Sequence, residues 1–258
     1  MSTSRLQGIP SRGIGFLPSS SMKLLACFFM LIDHTGMILF PSIRIFRIIG
    51  RLAFPIFAYF IAEGCRYTRN KLKHFLQVAI LGVICEAVYV IYKGKLEGNI
   101  LLTFSLSILV IYALQFTKAA FAQKGARRRI ASVAVFAVTL VAAYILNKLI
   151  GVDYGFVGFL IPVLTSLFHY DEGKAPSFLK RLDRRDLHIL MCSLGLLLLV
   201  IRRGFTSTQA WCLAAIPFLF LYNGKPGVSK IKYGFYIFYP AHLLALEGIS
   251  MLIKYLSA

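Results

Sequence analysis

Charge is scarce in this chain of 258 residues: Asp, Glu, Lys and Arg make up 15% of it, against about 25% in a soluble domain. Acidic residues are scarcer still, 10 against 29 Lys and Arg, which leaves a formal net charge of +19. No two of the five cysteines (Cys27, Cys65, Cys85, Cys192 and Cys212) have CxxC spacing. They read as free thiols buried in or beside apolar runs, and they indicate no disulfide framework and no redox compartment. HxxxH and HExxH patterns are absent, so a zinc site built from His34, His242 and a carboxylate has no spacing to support it, and no metal is expected. No internal repeat is visible either. Pro55 and Pro162 each interrupt an apolar run, but their surroundings, RLAFPIFAYF and GFLIPVLTSL, are unlike, which argues against an inverted-repeat transporter.

Apolar sequence fills the space that charge leaves. Hydrophobic residues are 58% of the chain and its mean hydropathy is +0.74. Apolar blocks recur along nearly its whole length, the pattern of an all-α polytopic membrane protein. Nine stretches approach the roughly 20 residues that a spanning helix needs: 23–40, 48–65, 75–92, 100–117, 130–149, 154–169, 187–201, 208–222 and 235–253. The expectation is a bundle of nine transmembrane helices, within a range of eight to ten, forming one domain over 23–258. Residues 1–22, rich in Gly, Ser and Pro, read as a disordered cytoplasmic tail; the lack of a small-x-small cleavage site and the Asp-His pair in the first apolar run argue against a signal peptide.

The basic residues lie between these blocks, which is the behaviour of topogenic loops and not of a nucleic-acid surface, so no nucleic-acid partner is expected. With nine spans, twenty Lys and Arg fall on the side of the N-terminus and nine on the other. That bias places the N-terminus in the cytoplasm and the C-terminus outside it.

Three spans carry ionisable residues deep in apolar sequence. In KLLACFFMLIDHTGMILF, Asp33 and His34 are flanked on both sides by large apolar residues. An Asp at a helix centre costs roughly 2.5–3.5 kcal/mol on the more modest scales, so something must offset it. His34 lies eleven residues beyond Lys23, roughly 16 Å along a helix and therefore near or past the midplane. Glu86 and His242 reach similar depths from the third and last spans. Each has a plain structural reading: an interhelical hydrogen bond for His242, an ion pair or a protonated carboxyl for Glu86. Together they suggest a shared polar cavity. Adjacent helix positions do not face one another, so Asp33 needs a partner elsewhere, such as Arg51.

Lys23 and His34 stand in a K-x10-H spacing, and Arg66-Tyr67-Thr68-Arg69 is an R-x-x-R. In this order they resemble motifs of the acyltransferase-3 group of membrane enzymes. A wider set of blocks is similar to those of the TraX family: KLLACFFMLIDHTG, RIIGRLAFPIFAYFIAEGCRYTRN, NILLTFSL, DYGFVGFL, LYNGKPG and KYGFYIFYPAHLL, which run from residue 23 to residue 244. That family is known for a conjugation protein that acetylates the N-terminus of F-type pilin. The resemblance implies a bacterial inner-membrane acyltransferase that uses acetyl-CoA. It implies His34 as catalytic base with Asp33 as its partner, and Lys23, Arg66 and Arg69 as residues that hold the donor. Tyr239 and His242 lie in matching blocks.

The physics is compatible with that reading. Acyl-CoA is cytoplasmic and anionic, and guanidinium groups suit its phosphates. A neutral imidazole at His34 would accept the proton of an acceptor hydroxyl or amine as it attacks the thioester; direct acylation of the histidine is the alternative. The acceptor is expected at or beyond the outer face, lipid-linked or extracytoplasmic, a glycan or a peptide amine. Arg44, Arg47, Arg51, Glu86, Tyr239 and His242 are the residues expected to meet it, although the arginines also suit interfacial anchoring. The rival is a proton-coupled transporter or channel, for which intramembrane His, Asp and Glu are equally apt but arginines on the cytoplasmic face are not needed.

Overall fold

The computed structural model describes residues 15–123, 125–170, 177–228 and 232–257. Most of the expected tail, with Arg5 and Arg12, lies outside the described residues, as do Lys124, Lys174 and Lys230. The described residues form helices joined by turns and loops, and contain no strand beyond a single bridge between Leu17 and Tyr222. The helices are α1 (Ser19–Ile38), α2 (Arg44–Gly50), α3 (Ala53–Tyr67), α4 (Lys71–Lys93), α5 (Ile100–Phe121), α6 (Ala126–Ile150), α7 (Gly155–Thr165), α8 (Ser177–Lys180), α9 (Arg185–Arg203), α10 (Ile216–Phe220) and α11 (Lys232–Leu256). Short 3-10 helices occupy Ser166–Phe168 and Thr208–Ala215.

Among the described residues, six segments are long and apolar enough to cross a membrane: Ser19–Ile38, Arg44–Tyr67, Lys71–Lys93, Ile100–Phe121, Ala126–Ile150 and Gly234–Leu256. They coincide with six of the nine expected spans. The other three fall short for distinct reasons. Gly155–Phe168 and Thr208–Phe220 are apolar but too short, since 30 Å of hydrocarbon takes about 20 residues at 1.5 Å each. In α9 the charged residues Arg185, Asp186, Arg202 and Arg203 take up both ends. The second span differs in detail as well. The chain turns at Arg51 and Leu52 between α2 and α3, and Pro55 sits in the first turn of α3, where its missing N–H breaks no helical bond.

The chain divides into two compact units, one made of residues up to 57 and from 200 onward, the other of 58–199. In the first, α1 packs on α2 and α11, and the 3-10 segment at 208–215 packs on α2 and α10. Gly36 and Gly50 allow the close approach of α1 and α2: a Cβ at Gly36 would overlap Phe46, and one at Gly50 would overlap Asp33. The start of α1 is capped by the LYNGKPG segment. The N–H groups of Ser19 and Ser20 donate to the carbonyls of Lys225 (2.8 Å) and Pro226 (3.2 Å), and Leu17 N–H donates to Leu221 O (2.8 Å). These are the donors that a helix start leaves without partners. Helix α1 therefore starts at Ser19, within the stretch 1–22 that the sequence suggested as a tail.

In the second unit α5 is the hub, packed on α4, α6 and α7. Small polar residues make this possible. Ser107 Oγ donates to Phe159 O (2.8 Å), Thr103 Oγ1 to Asp153 O (2.9 Å) and Thr117 Oγ1 to Ser132 O (2.9 Å). Such bonds hold helices together where apolar burial gives no preference over lipid. The outer face of α4 shows the complementary pattern, with Leu72, Ile80, Val83, Ile84, Val88 and Ile91 exposed, as a lipid-facing stripe requires.

Candidate functional site

Asp33 lies five residues before the end of α1 and is buried. Its carboxylate accepts from Arg47 Nη1 on Oδ2 (2.7 Å), and from Arg51 Nη2 on Oδ1 (2.6 Å) and Oδ2 (2.5 Å). Arg47 Nη1 also reaches the Asp33 carbonyl (3.3 Å), and Arg51 Nη1 donates to Gln209 Oε1 (3.3 Å). Two guanidinium groups therefore offset the buried charge, with bonds in the range of charge-assisted pairs. Local structure explains how they arrive. The turn at 51–52 and the short helix α2 present Arg47 and Arg51 four residues apart on one face, against the stretch of α1 that Gly50 leaves open.

Arg51 was an expected partner for Asp33; Arg47 joins it. The expected pairing of Asp33 with His34 is not what the structure holds. His34 Nδ1 instead lies 2.8 Å from His242 Nε2, and His242 Nδ1 lies 2.7 Å from the carbonyl oxygen of Phe238. A carbonyl only accepts, so His242 Nδ1 carries a hydrogen. In the neutral ring its Nε2 is then the acceptor, and His34 Nδ1–H is the donor. The chain of bonds fixes the tautomer of both rings by inference and leaves Nε2 of His34 as the basic nitrogen. The Phe238 ring stacks on His242 at 4.8 Å between centroids, and Tyr239, also buried, meets it edge-on at 6.0 Å.

Because α1 begins at Ser19, His34 is fifteen residues along it and four from its end. That is roughly 22 Å from the start of α1, past the middle of the helix. Arg44 is exposed at the start of α2, and Lys23 is half-buried near the start of α1. Lys23, Asp33, His34, Arg44, Arg47, Arg51, Tyr239 and His242 all belong to the first unit.

The second unit holds the remaining expected residues. Arg66 makes a bidentate pair with Asp183, Nη1 to Oδ1 and Nη2 to Oδ2, both 2.8 Å, largely out of solvent. Its guanidinium fork is thus occupied, whereas Arg69 is exposed. Glu86 is committed to the turn between α4 and α5. Oε1 accepts from the N–H groups of Glu97 (2.9 Å) and Gly98 (3.0 Å); Oε2 accepts from Asn99 N (3.0 Å) and Nδ2 (3.0 Å). The expected place for Glu86 in a shared polar cavity gives way to a structural one, because three backbone N–H groups and the Asn99 side-chain amide fill both oxygens.

Around the Arg66–Asp183 pair stand residues that the sequence did not single out. Glu63 (on α3), His169 (after the 3-10 turn that ends α7) and His188 (on α9) are all buried. His169 Nε2 is 3.3 Å from Glu63 Oε1, and His188 Nε2 is 3.1 Å from Asp183 Oδ1. Neither contact is aligned as a hydrogen bond, and all four ring nitrogens of the two histidines lack a hydrogen-bond partner. Leaving buried polar atoms so costs on the order of 1–3 kcal/mol each. Burial, then His188, Arg66 and Lys118, push the His169 imidazole well below its usual range. Burial pushes Asp183 the other way, but His188, Arg66 and the Tyr170 N–H together outweigh it and hold the carboxyl below its usual range. Lys118 Nζ donates to the carbonyls of Ser166, Leu167 and His169 at 3.1, 2.6 and 3.0 Å, closing the end of the α7 segment as a cation at a helix C-terminus should. The signal available in sequence was weak: Glu63 and Asp183 sit in charged flanks that read as loop edges.

Residues 19–250 match a family model described as "TraX protein". The chain is 26% identical over 264 residues to "Probable fimbrial assembly protein FimC, serogroup H1" of Dichelobacter nodosus, an alignment that covers 95% of this chain and all of that protein. It is 31% identical over 153 residues to an uncharacterized protein of Rickettsia prowazekii, covering 58% of this chain and 56% of that one. No solved structure matches it.

Proposed function

From the premise that this chain belongs to the TraX family, we propose that it is an integral membrane acyltransferase. It moves an acetyl or other short acyl group from cytoplasmic acyl-CoA to an amine or hydroxyl at or beyond the outer face. The observation that carries this reading is the His34–His242–Phe238 chain of bonds, which supports a neutral His34 with a basic Nε2. In the proposed step that nitrogen takes the proton of the acceptor N–H or O–H. The acceptor atom bonds to the thioester carbonyl carbon, the C–S bond breaks, and the CoA thiolate leaves and is reprotonated. His242 positions the base, and Phe238 O holds His242. Asp33, with Arg47 and Arg51, acts as the anchor that keeps α1 and α2 in register.

For the donor, Arg66 and Arg69 of the second unit, and separately Lys23 of the first, remain proposed phosphate ligands. Arg69 fits best, because Arg66 would have to exchange Asp183 for phosphate. For the acceptor, the fimbrial assembly name of the D. nodosus relative favours a peptide amine of a pilus subunit. The relation to the acyltransferase-3 group rests on the K-x10-H and R-x-x-R spacings alone. The protein is proposed to lie in the bacterial inner membrane with its N-terminus in the cytoplasm.

The test is transfer of labelled acetyl from acetyl-CoA to a short amine-terminated pilin peptide, by purified protein in detergent. His34→Ala and His242→Ala should both lose transfer. Parental rates in both variants would overturn the reading. Proton flux in liposomes without any transfer would favour the transporter.

A further inference from the structure

We propose that Glu63, His169 and His188 form a binding site for a divalent transition-metal ion, zinc being the best match to two imidazoles and one carboxylate. This inference stands apart from the acyl-transfer reading. One ligand atom from each of the three residues lies within 4.8 Å of the other two, and all three residues are buried in the second unit. They come from separate elements, α3, the end of the α7 segment and α9, so no linear motif announces them.

Three features point to an ion and not to a hydrogen-bonded cluster. The first is distance. Zinc bonds of 2.0–2.1 Å in tetrahedral geometry separate neighbouring ligand atoms by about 3.3 Å, and His169 Nε2 stands 3.3 Å from Glu63 Oε1 without the alignment of a hydrogen bond. The second is the state of the rings. Their centroids are 4.2 Å apart, edge to face; their Nε2 atoms stand beside carboxylates, Glu63 at 3.3 Å and Asp183 at 3.1 Å, and neither buried Nδ1 has a hydrogen-bond partner. Buried imidazoles normally satisfy at least one nitrogen. Uncommitted ring nitrogens this close to a buried carboxylate suit a cation that both rings share. The third is the surroundings. Ligating histidines are typically oriented by an outer carboxylate. Asp183 Oδ1 lies 3.1 Å from His188 Nε2, and the bidentate pair with Arg66 holds Asp183 in place. Lys118 fixes the backbone of His169 through its carbonyl. Glu63 supplies the anionic ligand, and three protein ligands leave a fourth position for water.

The experiment is metal analysis of the full chain, purified in detergent and dialysed against metal-free buffer. Close to one zinc per chain is expected. Replacement by cobalt should give visible absorption bands of a low-symmetry site. Glu63→Gln, His169→Ala and His188→Ala should each lose the ion. His74→Gln, in the same unit but paired with Tyr112, should keep it. Because a histidine variant may fail to fold, the near-isosteric Glu63→Gln is read alongside the melting temperature of the parent, which should fall on chelation and recover when zinc is restored. Parent protein that takes up no stoichiometric zinc or cobalt overturns the proposal. So does a folded Glu63→Gln or His188→Ala chain that holds the metal as the parent does.

Discussion

Replacing Asp33 and replacing His34 should damage the protein in opposite ways, although the two are neighbours in sequence. Asp33→Ala removes the carboxylate that neutralises Arg47 and Arg51. The side chains of Asp33 and Arg51 are 12% and 13% exposed, and Arg47 is 31% exposed. Breaking a buried pair by deleting one partner costs about 3–5 kcal/mol. The partial exposure of Arg47 lets water recover some of that, which puts the loss near the bottom of the range, about 3 kcal/mol. At this chain length it should lower the melting temperature by several degrees, roughly 2–4 °C per kcal/mol. His34→Ala removes one interhelical bond, worth about 0.6–1.7 kcal/mol in membrane proteins. As the general base, though, its loss should slow transfer by roughly 10²–10⁴-fold, which is about 3–5 kcal/mol of barrier. The assay pairs acetyl transfer with thermal unfolding in detergent. Trp211, the single tryptophan, lies in the 3-10 segment packed on α2, and its emission reports on the unit that holds Asp33. The reasoning is refuted if His34→Ala melts as low as Asp33→Ala, or if it transfers acetyl at the parental rate.

Arg66→Ala and Arg69→Ala should also separate. The first strands Asp183 and should lower stability by about 3 kcal/mol; the second should leave melting unchanged and weaken acetyl-CoA binding by about 1.5–3 kcal/mol, as measured by titration at two salt concentrations. Glu86→Ala removes the acceptor of four donors at the α4–α5 turn and should destabilise the protein by on the order of 2–4 kcal/mol, with KM for acetyl-CoA unchanged in whatever protein remains folded; a shifted KM would return Glu86 to the active site. With nine crossings, a reporter fused after Ala258 should behave as extracytoplasmic and one inserted near Gly125 as cytoplasmic; the same side for both would mean an even number of crossings after Gly125, as the six long helices alone give.

The long spans were legible because length and hydropathy determine them, and six of the nine expected stretches reappear as long helices. The shorter three could not be judged that way. A run such as DYGFVGFLIPVLTSLF has the hydropathy of a span, but its helix ends at Phe168. At the candidate site, Asp33, His34 and His242 stood out because each is a polar group in apolar sequence. Which group meets which was not legible. Asp33 and His34 are adjacent in the chain yet face different partners, since a helix turns about 100° per residue. Glu86 looked the same as His242 in sequence but is satisfied by the next turn of chain. Glu63, His169, His188 and Asp183 were hidden for the opposite reason: they lie near helix ends, where charge is common and draws no notice.

The way Glu86 is held bears on how the chain enters the bilayer. Its acceptors are filled by residues only eleven to thirteen positions further on. A carboxylate bound for the membrane therefore finds its donors as soon as the turn after α4 has been synthesised. Closing so short a loop carries little entropic penalty, and local contacts form early. The pair α4 and α5 is thus suited to leave the insertion machinery as a ready-made hairpin with its charge already shielded, whereas Asp33 must wait only until Arg47 and Arg51 emerge. His34 is the exception: its partner, His242, comes 208 residues later. The catalytic pairing proposed here would be among the last contacts made, so a nascent chain would acquire its base only when insertion is nearly finished.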